Sequence, residues 1–286
     1  MSTSLNISGK IDPATVAIFE AVGGAARALG MPYVVVGATA RDLVLHYGYG
    51  VPLERMTRDV DFAIEVPDWA AFNVLKNKLE ELGFRADTAQ HRLFSPANVT
   101  VDIVPFGQVE DEKAVIAWPP KGETVMNVLG FQEACDHADW VRIQDAPELD
   151  VPVATPAGMA LLKLIAWTDR AADLRRKDAV DIAYLLSTYE KLPRVTDALY
   201  VDRSDIMELY DWDITPSSAH LLGQHALDIA QENTRLEIAR FAGDEIKGRR
   251  REVLISEMCT QRSDAQYERN EQLLTAFLAG FNLSRQ

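Results

Sequence analysis

The chain has 286 residues, 48% of them hydrophobic and 25% charged, with a formal net charge of −14 and two cysteines. This is the composition of an ordinary soluble globular protein, long enough for one large or two modest domains. The acidic balance excludes a basic surface spread out for non-specific polyanion binding, so any nucleic-acid substrate has to be gripped locally.

Cys135 and Cys259 are far apart and show neither Cys-x-x-Cys nor flanking metal spacing. That excludes a disulfide framework or a zinc ribbon and fits a reducing compartment. The first residues form neither a charged nor an apolar leader, and the most apolar later stretch is interrupted by Lys163. A cytoplasmic protein with no membrane span is expected.

Asp12-Pro13 is a helix start, and Val16, Phe19, Val22 and Ala26 carry the apolar spacing of a helix that ends at Gly30. Tyr33 to Val36 is a short β-branched run and predicts a buried strand. It stops at Gly37-Ala38-Thr39, where the helical pattern of Ala40, Leu43, Val44 and Tyr47 begins. A small-residue turn entering a helix aims unpaired N–H groups and the positive end of the helix dipole at an incoming anion. Thr39 is placed either to cap that helix or to offer its hydroxyl to a phosphate. Arg41 is placed either to reach a polyphosphate or to form a helix-surface ion pair.

A Gly/Tyr/Pro loop (Tyr47 to Pro52) leads to Met56–Val66, where Val60, Phe62, Ile64 and Val66 alternate with Asp59, Asp61, Ala63 and Glu65. The period of two predicts a half-buried strand with Asp59 and Asp61 on one face. Arg58 points the opposite way and stays out of the site. Asp68 caps a helix (Phe72, Leu75, Leu79) ending at Gly83. His91 to Phe94 is a hairpin partner for the strand Val99–Val104, and His91 reads as a structural residue. In that strand Asp102 points away from Val101 and Ile103. If it pairs with the Asp59 strand, three carboxylates meet, and groups so close resist ionising unless cations sit between them. Mg²⁺ or Mn²⁺ suits such oxygen ligands.

Gly107 to Thr124 reads as an acidic loop, with Trp118 either structural or free to stack on a base. From about Pro156 helices follow almost without interruption. Lys163 lies inside the apolar helix Ala157–Asp169, with Arg170 on the same face. It either snorkels to the surface or faces a polyanion. Asp178 and Asp181 follow on one helix face, readable as members of an exposed charge cluster. Segments near Ile206–Tyr210, Ala219–Ala230, Leu236–Phe241, Val253–Met258 and Gln272–Phe281 predict further amphipathic helices. Arg249-Arg250-Arg251 is a basic island, a solvated helix start or a grip for RNA phosphate.

Val36-Gly37-Ala38-Thr39-Ala40-Arg41-Asp42-Leu43, Thr57-Arg58-Asp59-Val60-Asp61-Phe62, Val101-Asp102-Ile103-Val104-Pro105-Phe106-Gly107, and Lys163 with Lys177-Asp178 resemble the AbiEii toxin family. That family belongs to the DNA polymerase β nucleotidyltransferase superfamily. The likeness covers about residues 30 to 190. It departs at Gly37-Ala38, where the superfamily pattern has Gly-Gly or Gly-Ser, and the gap from Gly37 to Asp59 is long.

The resemblance implies an α/β (α+β) nucleotidyltransferase core with a mixed sheet at residues 1–153, and an all-α C-terminal region at 154–286 that contributes Lys163 and Asp178 to the cleft. It implies transfer of a nucleoside monophosphate from a nucleoside triphosphate to a hydroxyl. Asp59, Asp61 and Asp102 would hold Mg²⁺ or Mn²⁺, and Asp102 would also assist deprotonation of the acceptor. Gly37, Ala38, Thr39, Arg41 and Lys163 would hold the triphosphate. The implied role is the toxin of a type IV toxin-antitoxin pair, with an antitoxin partner and a tRNA 3′ end or a protein as acceptor. An antibiotic-type enzyme acting on a cationic small molecule and a catalytically silent nucleotide-binding module remain alternatives.

Overall fold

The structure is a computed structural model describing residues 5–53, 59–243, 249–261 and 263–282. The segment Met56–Arg58, expected to lead into the Asp59 strand, lies outside the described residues. The chain divides into two compact units, Met1–Thr155 and Pro156–Gln286.

The first unit runs β1 (Leu5–Asn6), α1 (Pro13–Ala28), β2 (Tyr33–Val36), α2 (Gly37–Arg41), a π-helical turn (Asp42–Gly48), β3 (Asp59–Val66), α3 (Trp69–Glu81), β4 (Arg85–Ala86), β5 (Arg92–Phe94), β6 (Thr100–Gly107), β7 (Val115–Ala117), β8 (Val125–Asn127), α4 (Phe131–Asp136), β9 (Asp139–Gln144) and β10 (Leu149–Val153). Eight of these strands form one mixed sheet in the order β1-β9-β10-β2-β3-β6-β5-β4. β2 is antiparallel to β3, β3 parallel to β6, and β6 antiparallel to β5.

The middle of the sheet follows from its side chains. All four residues of β2 are buried, as a run of Tyr and three Val requires of an interior strand. On β3 the apolar set faces α1, where the Phe19 and Phe62 rings meet edge to face at 6.0 Å. Asp12 caps α1 by accepting from the Thr15 amide, with Pro13 in the first turn. Asp68 does the same for α3 through the Ala71 amide.

Three features differ from the sequence expectation. The helix after Gly37 is regular only to Arg41 and then widens into the π-helical turn. The acidic stretch after Gly107 is not all loop, since β7 pairs with β8 as a separate two-stranded sheet. Within it Trp118 is 3% exposed and packs on Trp69, Phe72 and His91, so no ring face is left for a base. Finally, β9 and β10 form an antiparallel hairpin on the β2 side of the sheet that the sequence reading passed over.

The second unit is helical: α5 (Pro156–Asp169), α6 (Arg176–Thr188), a 3-10 turn (Tyr189–Lys191), α7 (Pro193–Val201), α8 (Ser204–Leu209), α9 (Ile214–Ile229), α10 (Glu232–Ala242), α11 (Arg249–Met258) and α12 (Asp264–Gly280). The expected architecture, a mixed sheet with helices followed by an all-α region, is the one found. α9 and α12 cross at backbone contact. A Cβ on Gly223 would lie 2.0 Å from the Phe277 carbonyl oxygen, and one on Gly280 2.0 Å from that of His220. Only glycine allows so close a crossing. Among the described residues no helix is long and apolar enough to cross a membrane.

Candidate functional site

Strand pairing builds the acidic cluster row by row. Val36 opposes Asp61 across β2 and β3, Asp61 opposes Asp102 across β3 and β6, and Asp102 opposes Arg92 across β6 and β5. Directly opposed residues share a sheet face, so this row places Asp61, Asp102 and Arg92 on one side. Asp59 sits one strand repeat before Asp61 and joins them. Ligand oxygens of Asp59, Asp61 and Asp102 all lie within 4.8 Å of one another, with each residue half-buried. Among the described residues this is the one set of three acidic, His or Cys side chains close enough to share an ion. The donors are all hard carboxylate oxygens, which suit Mg²⁺ or Mn²⁺.

The turn before α2 is shaped around that cluster. Gly37 has φ +69°, and a Cβ there would stand 2.2 Å from Oδ2 of Asp61. Both the left-handed backbone and the contact with the carboxylate demand glycine. Ala38 and Thr39 are buried behind it.

Thr39 does not cap the helix, since Val36 is the capping position. Its hydroxyl donates to the Asp59 carbonyl oxygen at 2.8 Å, tying α2 to the start of β3, so the hydroxyl proton is committed within the protein. Arg41 does form an ion pair, but an interior one. Its Nε and Nη2 donate to Asp42 Oδ1 at 2.8 and 2.6 Å, and the side chain is 3% exposed, which leaves little guanidinium surface for a polyphosphate.

Arg92 is the residue the sequence reading missed. Its Nε and Nη2 donate to Oδ1 and Oδ2 of Asp102, each at 2.7 Å, a two-pronged clamp on the third carboxylate. The bond to Asp102, with a smaller pull from Asp59, raises the Arg92 pKa further above its ordinary value. Neighbouring His91 is held below the usual histidine range, chiefly by burial, and its backbone carbonyl accepts from Ile103. The signal for Arg92 is its position opposite Asp102, visible only once β5 and β6 are put in register.

Lys163 and Asp178 belong to the second unit. Lys163 on α5 does not snorkel outward. Its Nζ pairs with Asp178 Oδ1 at 3.2 Å and Asp181 Oδ2 at 2.7 Å, both on α6. Arg170 binds the other oxygen of Asp178. Asp178 and Asp181 have 0% and 1% of their side chains exposed, so the surface charge cluster suggested by Arg176-Lys177-Asp178 is not what forms. Their spacing of three residues puts both carboxylates on the buried face of α6.

A family model described as "Nucleotidyl transferase AbiEii toxin, Type IV TA system" matches residues 24–266. No curated protein matches the chain significantly. Among solved structures, the antibiotic-resistance factor ANT(2'')-Ia is 15% identical with a TM-score of 0.39, over 70% of this chain and 95% of that one. An antigenic nucleotidyltransferase-like protein from Paracoccidioides brasiliensis is 15% identical with a TM-score of 0.38, over 71% and 94%. The Thermotoga maritima CCA-adding enzyme, solved with tRNA, is 13% identical with a TM-score of 0.28, over 96% and 84%. Likenesses this remote do not bear on substrate. The family match spans most of the chain and takes in every residue of the acidic cluster and its turn, and the protein is a nucleotidyltransferase belonging to the AbiEii family.

Proposed function

We propose that the protein moves a nucleoside monophosphate from a nucleoside triphosphate to a hydroxyl acceptor, with a divalent cation held by Asp59, Asp61 and Asp102. The observation that carries this reading is the carboxylate cluster, whose oxygens lie within 4.8 Å of one another on paired strands. A bound Mg²⁺ or Mn²⁺ supplies charge neutralisation at the phosphates and helps to align the entering and leaving oxygens.

The chain's own groups do the rest. The turn Gly37-Ala38-Thr39 receives the triphosphate on its backbone amides. Thr39 and the buried Arg41–Asp42 pair hold that turn from behind. Asp102 accepts the proton of the acceptor hydroxyl as its oxygen bonds to the α-phosphorus. The bond from α-phosphorus to the bridging oxygen breaks, and pyrophosphate leaves. Lys163 and Asp178 enter the proposal through family membership, Lys163 as a cation for the triphosphate and Asp178 as its partner.

The family description favours a toxin of a type IV toxin-antitoxin system, with an antitoxin as partner; the acceptor in this proposal is a tRNA 3′ end or a protein. The net charge of −14 favours a second reading, a cationic small-molecule acceptor.

The test is incubation with each labelled nucleoside triphosphate and Mg²⁺ or Mn²⁺, in the presence of total RNA, cell protein or aminoglycosides. Label in RNA or protein supports the first reading, and label in the aminoglycoside the second. No transfer to any acceptor, or transfer that survives Asp59→Asn and Asp102→Asn in folded protein, overturns both. Growth arrest on expression, relieved by Asp59→Asn, is the result expected of a toxin.

A further inference from the structure

Glu257 on α11 grips two residues that lie 90 and 82 positions earlier in the chain. The Trp167 indole Nε1 donates to its Oε2 at 2.6 Å. Arg175 Nε donates to the same oxygen at 3.1 Å and to Oε1 at 3.2 Å, and Arg175 Nη2 donates to Oε1 at 3.0 Å. The Arg175 guanidinium also stands 4.5 Å from the centre of the Trp167 ring, so the three side chains meet pairwise. Trp167 is 1% exposed, and an indole N–H at that depth needs an acceptor.

The two gripped residues flank the buried lysine pair. Trp167 follows Lys163 by one turn of α5, and Arg175 is the capping position of α6, three residues before Asp178. The Arg175 carbonyl oxygen accepts from the Asp178 amide at 2.9 Å. Residues 170–175, between α5 and α6, are not helical, so no continuous helical ladder sets one helix against the other. A circuit of side chains does. It runs from Lys163 along α5 to Trp167, across Glu257 to Arg175, and along α6 to Asp178, which closes on the Lys163 ammonium at 3.2 Å.

We propose that Glu257 is a positioning residue for Lys163. It fixes the end of α5 against the start of α6, and with them the place at which the ammonium stands between Asp178 and Asp181. This rests on the reading above in which Lys163 serves the triphosphate. Through Trp167 and Arg175, α11 thereby sets the affinity for that substrate.

The signature lies in the kinetics of the folded protein. A carboxylate that only braced the helices would, when replaced, lower the melting temperature and leave KM alone. Loss of a positioning carboxylate shifts the ammonium, and a misplacement of about 1 Å costs up to about 10²-fold. The loss falls on KM more than on kcat, because a cation for the triphosphate binds ground state and transition state alike.

The experiment measures KM and kcat, with the nucleoside triphosphate and acceptor that wild type uses, on wild type, Glu257→Gln and Arg175→Lys. Mn²⁺ affinity of the same full chains is read by spin resonance of the free ion, and folding is checked by circular dichroism. Glu257→Gln keeps an oxygen for the Trp167 indole and loses the charge that holds Arg175. Arg175→Lys keeps the charge and loses the fork. Each is expected to raise KM by about 10- to 100-fold, with kcat reduced less and Mn²⁺ affinity as in wild type.

An unchanged KM in folded Glu257→Gln overturns the proposal, as does a KM that rises only together with a loss of Mn²⁺ affinity, the mark of a general loosening. Should Glu257→Gln not fold, Arg175→Lys decides by the same two readouts. Failure of both to fold would make the contact one that folding itself requires, and overturns the positioning role. Wild type that transfers no nucleotide removes the reading of Lys163 and this proposal with it, a result distinct from an active Glu257→Gln with unchanged KM.

Discussion

Each unit carries a cluster of charged side chains, and the two differ in burial and in pairing. In the first, the carboxylates of Asp59, Asp61 and Asp102 face one another, and the Arg92 guanidinium clamps Asp102. In the second, Lys163 pairs with both Asp178 and Asp181, and Arg170 pairs with Asp178. The first is half-buried, with carboxylate oxygens that all lie within 4.8 Å of one another. The second is built around two carboxylates with essentially no exposure. Removing one partner of a buried pair leaves an uncompensated charge, whereas removing one of several neighbouring like charges relieves repulsion. Substitution should therefore have opposite consequences in the two units.

The largest effect is expected at Asp61. Asp61→Asn should lower nucleotidyl transfer by roughly 10³- to 10⁴-fold, the several kcal/mol that a metal site supplies. Thermal stability should hold or rise, because like-charge repulsion is relieved. Single-turnover rates and a melting curve on the same protein check both halves. A variant that melts well below wild type would mean that this cluster, too, is structural.

Lys163→Met should behave in reverse as to stability. It removes a partner from two buried carboxylates, and breaking a buried pair costs about 3–5 kcal/mol. Urea denaturation measures that directly. If stability is unchanged while transfer is lost, the lysine serves the substrate alone and the contrast between the clusters fails.

Gly37→Ala is expected to fall between these. Its methyl group would collide with the Asp61 carboxylate at a backbone angle suited to glycine. A displacement of about 1 Å in a catalytic group costs about 10²-fold in rate. The loss should appear in kcat, with Mn²⁺ affinity reduced as well. For wild type, Mn²⁺ at about a hundred times its Kd should stabilise the first unit by about 2.7 kcal/mol. The same addition should do nothing for Asp61→Asn, and hydrogen exchange resolved by segment shows whether protection is confined to the sheet.

The alternation on β3 and β6 made the three carboxylates legible before any coordinates, because a half-buried strand has to show its polar face at every second residue. The turn at Gly37 was legible too, as a break between a Val run and a helical pattern, but the reason for glycine was not. It lies in Asp61, more than twenty residues along the chain. Arg92 escaped for the same reason. β5 has three residues, too few to show a period, and the meaning of the arginine comes entirely from the strand beside it.

Asp178 misled in the other direction. Composition reads Arg175-Arg176-Lys177-Asp178 as solvated, whereas pairing with α5 draws the aspartate inside and leaves Lys177 out. The β9–β10 hairpin carries an apolar alternation at Val141 and Ile143, a strand signal present in the sequence itself.

The smallest expected effect is a titration inside the second unit. His225 on α9 sits against Tyr189, its Nδ1 2.7 Å from the phenolic oxygen, and burial lowers its pKa below the ordinary 6.5, with Asp228 pulling the other way. The folded protein thus takes up the proton less readily than the unfolded chain does. Stability from this group is present in full above pH 6.5 and is lost as pH falls toward and through the folded value. Denaturation at about pH 7.5 and about pH 5.5 should show a less stable second unit at the lower pH, and His225→Gln should reduce that difference. Because the acidic cluster of the first unit is absent from this linkage, the loss should persist at saturating Mn²⁺. A loss that Mn²⁺ abolishes would place its origin in the first unit instead.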